Sequence, residues 1–195
     1  MKRPLTFATR MSVAVMLLSS AAFAHPMKGV GDFYAGMLHP VTTIETVLPL
    51  LALSLLAGQQ PRETAIKILA AFPAALCLGT LLILGRSVPA SVTAIDLVIT
   101  VILGLLVALA RPLPNWLPVA ISVLLGLAVG WANAAEITPQ ISPVRFVAGL
   151  SVGGLLLTAY GIGLVRSLKF DWSQIAVRVV GSWLAAVGIL VTGLR

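Results

Sequence analysis

Residues 64–85 read TAIKILAAFPAALCLGTLLILG and residues 90–110 read ASVTAIDLVITVILGLLVALA, with Arg86-Ser87-Val88-Pro89 between them. Each run carries a single charged side chain, Lys67 in the first and Asp96 in the second. Each is close to the roughly 20 apolar residues that a helix needs to cross a bilayer. The break holds a proline, which cannot continue a helix ladder. Working outward, similar runs fall at about 40–58, 116–135, 144–166 and 174–194, separated by short polar or proline-containing segments. The pattern predicts an all-α membrane protein, a polytopic bundle of about six transmembrane helices.

Composition agrees. Hydrophobic residues make up 59% of the 195-residue chain and charged residues only 10%, where a soluble domain carries about 25%. Mean hydropathy is +1.06. The net charge of +7 comes from basic residues placed singly at the ends of apolar runs, a pattern of membrane anchoring and topology rather than of nucleic-acid binding. The expected partner is the lipid bilayer, with no nucleic acid. Cys77 is the one cysteine, so an internal disulfide and a thiolate metal cluster are excluded.

Lys2, Arg3 and Arg10 precede the short apolar stretch MSVAVMLLSS, and Ala22-Phe23-Ala24 has the small-x-small form that signal peptidase reads. Residues 1–24 are therefore expected to be a cleaved signal peptide and residues 25–195 a single transmembrane helical domain. Cleavage would start the mature chain at His25-Pro26, where an α-amine and an imidazole can chelate a transition metal together. The plain alternative is a polar N-terminus without a role. A cleaved leader delivers the new N-terminus outside. The first, third and fifth connections then hold Arg62, Lys67, Arg111, Arg166, Lys169 and Arg178, against Lys28, Arg86, Arg145 and Arg195 opposite. That bias agrees with a multi-pass protein of the bacterial inner membrane with both termini periplasmic.

Ionisable or strongly polar side chains inside spans mark a cavity or a pairing partner by default. Glu45, Asp96, Asn133 and Glu136 are the candidates. In a helix starting near Pro40, the residues Thr42, Glu45, Thr46 and Pro49 share one face, and Pro49 leaves the Glu45 carbonyl without its helical donor. A carboxylate, two hydroxyls and a carbonyl in one cavity suit a cation, with His39 just outside. The alternative is a helix kinked by Pro49, from which Glu45 reaches the periplasmic interface. Asp96, near the start of its helix, is expected to interact with the helix dipole. Asn133 and Glu136 share a face at the end of the fourth span. Gly126-x-x-x-Gly130, Gly149-x-x-x-Gly153, Gly181, Gly188 and Gly193 allow close helix approach, in a tight bundle or a dimer interface.

The segment AHPMKGVGDFYAGMLHPVTTIETVLPLLALSLLAG, residues 24–58, resembles the start of HupE/UreJ family proteins, membrane permeases associated with nickel or cobalt supply, and the likeness extends along the mature chain. The family's first-helix signature is His-Pro-x-x-Gly-x-Asp-His. His39 and Pro40 match it, Thr43 takes the glycine position, Glu45 the aspartate position and Thr46 that of the second histidine. A second signature is His-Gly-x-Ala-His-Gly-x-Glu. Gly130, Ala132 and Glu136 match, while Val129 and Asn133 replace its histidines and Ala134 its second glycine. The resemblance implies a permease that moves a divalent cation, Ni2+ or Co2+, with His25, His39, Glu45, Asn133 and Glu136 as candidate metal ligands and no tightly bound cofactor. The thinned histidines leave open an accessory or scaffold protein that keeps the fold without transport. The alternatives extend to its assembly, as a homo-oligomer or an accessory subunit. An enzyme is not expected, because no nucleophile and base are paired. There is no G-x-x-x-x-G-K-[ST] run, so a nucleotide site within the chain is not expected either.

Overall fold

The computed structural model describes residues 31–83 and 91–193, and among them every regular element is a helix. In chain order these are α1 (Asp32–Thr42), α2 (Ile44–Gln59), α3 (Arg62–Ile83), α4 (Ser91–Leu109), α5 (Trp116–Asn133), a 3₁₀ turn (Ala134–Glu136), α6 (Pro143–Ser167) and α7 (Asp171–Gly193). The expected leader lies outside the described residues, and so does His25. α3, α5, α6 and α7 are each long and apolar enough to cross a membrane, and α1 with α2 makes a fifth crossing if taken as one bent span. The apolar part of α4, Ile95–Leu109, is shorter. The chain is a multi-pass membrane protein.

The first expected span differs from its reading as one helix. It is two helices with axes 72° apart, joined at Thr43, whose backbone is extended at φ −107° and ψ 113°. Local chemistry explains the break. Pro40 offers no amide hydrogen to the last turn of α1. The Thr42 hydroxyl donates to the carbonyls of Leu38 and His39, each at 3.3 Å, and such bonds compete with helix propagation. α2 then restarts with the amides of Thr46 and Val47 donating to the Thr43 carbonyl at 3.0 and 2.9 Å.

Glycines set the contacts between helices. Gly149 and Gly153 of α6 face the carbonyls of Phe33 and Met37 in α1, and Gly36 of α1 faces the Phe146 carbonyl. A Cβ at any of the three would overlap backbone, so α1 and α6 touch main chain to main chain. Gly126 and Gly130 of α5 lie against Phe72 and Leu76 of α3, while Gly181 and Gly188 of α7 lie against Val107 and Val101 of α4. These seven glycines therefore serve contacts within the chain, which decides the alternative of a bundle or a dimer seam in favour of the bundle at these positions.

The same contacts fix direction. Phe72 to Leu76 advances with Gly126 to Gly130, so α3 and α5 run parallel. Ser54 meets Gly161 and Gly58 meets Val165, so α2 and α6 are parallel, whereas Val101 meets Gly188 and Val107 meets Gly181, so α4 and α7 are antiparallel. The short connections Gln60-Pro61 and Leu168–Phe170 reverse the chain. Hence α2, α4 and α6 point one way and α3, α5 and α7 the other. α2 is the centre, with Leu50, Ala52, Leu53 and Ala57 completely buried.

At the end where α2, α4 and α6 finish, long polar side chains cap carbonyls of neighbouring helices. Gln59 donates to the Val107 carbonyl at 3.2 Å, Arg166 to the Gln60 carbonyl at 2.8 Å and Arg178 to the Ala108 carbonyl at 2.9 Å. Helix C-termini leave carbonyls without intrahelical donors, and here α2, α4, α6 and α7 are tied together by satisfying those of α2 and α4.

Candidate functional site

The opposite end gathers the starts of α2, α4 and α6 with the ends of α3 and α5. It therefore holds His39, Glu45, Asp96 and Asn133 together, along with the backbone of Glu136 in the 3₁₀ turn. The alternation of helices, not their sequence spacing, brings them to one end.

His39 occupies the last turn of α1. Its half-buried ring packs edge-on against Phe146 of α6, with centroids 5.9 Å apart at 64°. Its Nε2 lies 3.3 Å from the Thr43 hydroxyl oxygen, an interaction in which the tautomer decides which group donates. The elbow is also pinned from below its first turn, because the Ser142 amide at the start of α6 donates to Asp32 Oδ2 at 3.0 Å. His39 is thus held on a corner whose two arms are anchored separately, α1 on α6 and α2 in the core.

Glu45 differs from its expected setting. It lies in the first turn of α2 and is exposed, while Thr46 and Pro49 on the same helix are buried. Thr42 belongs to α1, on the far side of the extended residue Thr43. The single cavity expected to be shared by Thr42, Glu45, Thr46 and Pro49 is therefore not formed, because the helix that would align them is broken. The position of Glu45 is the one where an acidic side chain favours a helix N-terminus.

Asp96 is the converse case. It stands beyond the first turn of α4, which contains no acidic residue, so the helix-dipole role expected for it goes to Glu45. It is buried at 5% exposure, and its Oδ1 has no hydrogen-bond partner among the described residues. Its backbone carbonyl accepts from the Thr100 hydroxyl at 2.7 Å. The signal was present in the sequence, as a lone acid in a 21-residue apolar run, but depth along the helix had to be resolved within one turn to read it.

Asn133 is buried at 3% exposure and donates its amide to the Val129 carbonyl one turn back, at 2.7 Å. That bond uses a donor and leaves the oxygen as the side chain's metal-competent atom. Beside it, the Thr80 hydroxyl of α3 donates to the Gly130 carbonyl of α5 at 2.9 Å, bridging the two helices where Gly130 lets them touch. The side chain of Glu136 lies outside the described residues. Among the described residues, no three His, Cys, Asp or Glu side chains form a group arranged to hold a metal ion.

Comparison with known proteins gives a consistent relationship. The family described as HupE / UreJ protein matches residues 13–191. "Protein HupE" of Rhizobium leguminosarum bv. viciae is 28% identical over 179 residues, covering 91% of this chain and 93% of that protein. No solved structure matches.

Proposed function

The chain belongs to the HupE/UreJ family, membrane proteins related to metal transport, and on that premise we propose that it is an inner-membrane permease for a divalent transition-metal cation, nickel or cobalt. The supporting observation is the elbow. His39-Pro40 and the carboxylate of Glu45, the parts of the first family signature that this sequence retains, flank the extended residue between α1 and α2. Broken helices in transporters collect ion sites, because an interrupted ladder frees backbone carbonyls for coordination. Imidazole suits nickel and cobalt, while carboxylate and carbonyl oxygens tolerate harder ions as well.

In this reading His25 and His39 capture the ion on the periplasmic side, and Glu45, with Asn133 and Glu136, holds it at the mouth of the bundle. Transport is driven by an ion gradient or by another subunit. The test is uptake of radioactive nickel or cobalt by cells with and without the chain. Glu45→Gln, which removes charge and keeps size, is expected to abolish the added uptake at unchanged membrane abundance. Uptake unaltered by this variant would remove Glu45 from the site.

A second reading is a non-transporting accessory or scaffold protein. It is favoured by the lack of a three-ligand cluster among the described residues and by the imidazoles replaced at Thr46, Val129 and Asn133. Cells whose nickel and cobalt contents are the same with and without the chain would make it the better account.

A further inference from the structure

Asp96 is not used by either family signature, yet it is the described carboxylate set deepest in the bundle. Its neighbours on the inward face of α4 are Thr100, Leu103 and Val107, which follow at helical spacing and are exposed by only 1%, 0% and 0%. The polar part of this stripe is at the elbow end, and the two apolar side chains close it towards the other. α2 and α4 run parallel, and Gln59 bonds to Val107. Counting back along both helices from that pair brings Asp96 level with Leu48, about 7 Å further into the bundle than Thr43 at a rise of about 1.5 Å per residue.

An ionised carboxylate in such surroundings needs a cation, or else it takes up a proton. The helices packed against α4 are α2, α5 and α7. α2 contributes Glu45 as its titratable group, at the exposed first turn, and α5 contributes none. α7 contributes Asp171 and Arg178, with Arg178 bonded to Ala108 at the opposite end of α4. No described cation faces Asp96.

We propose that Asp96 is a cation-exchange carboxylate of the transport path, holding a proton in the empty bundle and releasing it when the divalent cation arrives from the elbow. The step balances: the carboxylic acid loses one proton to water at the elbow end, and the resulting carboxylate oxygen takes the metal. The proposal rests on the permease reading and adds to it an ion site deeper than the family signatures, with Leu103 and Val107 as the seal beyond it.

The test uses the full chain in lipid nanodiscs with Co2+ alone as the probe. Infrared difference spectra of the metal-free protein should show a protonated-carboxyl band that Asp96→Asn removes, and Co2+ should abolish that band in the unmodified chain. In weakly buffered solution Co2+ should release about one more proton per protein from the unmodified chain than from Asp96→Asn, and Asp96→Glu should restore the release. Lack of the band, or a band that persists while Co2+ binds, overturns the proposal. Cellular uptake separates the two readings. Uptake retained by Asp96→Asn overturns the proposal alone, whereas lack of uptake by the unmodified chain overturns the permease reading and the proposal with it.

Discussion

The elbow between α1 and α2 and the inward face of α4 lie at the same end of the bundle, and each carries one carboxylate. Glu45 stands exposed in the first turn of its helix, whereas Asp96 stands buried past the first turn of its own. The difference is one of depth and rotation. Glu45 starts a helix that a proline and two threonines have just interrupted, so it sits at a free N-terminus. Asp96 is carried inward on the buried stripe of α4 that it shares with Thr100, Leu103 and Val107. In the proposed transport path, the elbow would be the accessible place to meet an ion and α4 the enclosed one to hold it.

The two regions are seated on different partners, and their independence can be broken by design. A Cβ at Gly149 would overlap the Phe33 carbonyl, and one at Gly104 would lie 2.7 Å from the backbone of Gly181 and Ala185. Gly149→Val is expected to cost about 3 kcal/mol or more, since backbone has to move to admit the side chain. Gly163→Val, where nothing lies within 4 Å of a Cβ, is expected to cost far less. Unfolding in detergent measures both. Disulfide trapping between cysteines introduced at Val101 and Gly188 should still succeed in Gly149→Val. Failure there would show that the elbow and α4 form one cooperative unit.

A smaller effect sharpens the contrast between the carboxylates. A buried polar group without a partner costs about 1–3 kcal/mol, so Asp96→Leu is expected to raise stability by about that amount while uptake is lost. A loss of stability would mean that Asp96 has a favourable partner and is not an enclosed ion site. The smallest effect is at the elbow. Glu45→Gln removes an acidic group from a helix N-terminus and is expected to lower stability by only about 0.5 kcal/mol at low ionic strength. A loss of several kcal/mol would show Glu45 to be a structural residue, so that its effect on uptake could not be assigned to ion binding.

Much of the architecture was legible in the chain because bilayer thickness acts on local sequence. Apolar runs of about 20 residues between proline-containing breaks give the approximate bounds of α2 to α7. The first apolar run, read from about residue 40, leaves out most of Asp32–Thr42, where Gly36 and Pro40 disfavour a helix locally. That helix is held by Gly149 and Gly153, more than a hundred residues away. The candidate ligands His39, Glu45 and Asn133 were found as isolated polar residues, and their common end followed once the helices alternate. The side chain of Glu136 and the whole of His25 lie outside the described residues.

By itself, then, the sequence determined that this is a helical membrane protein, where its long apolar helices run and which few polar side chains they must accommodate, since each of those follows from hydropathy and propensity within a single segment. Only the tertiary structure decided that the first span breaks at Thr43 and that the glycines pair α1 with α6, α3 with α5 and α4 with α7. It also decided that Asp96, not Glu45, is the buried carboxylate. Burial is a relation between helices: it depends on the rotation of each about its axis and on which neighbour covers it, and a turn of 100° per residue lets one position exchange lipid or water for core with no change in the composition of its segment.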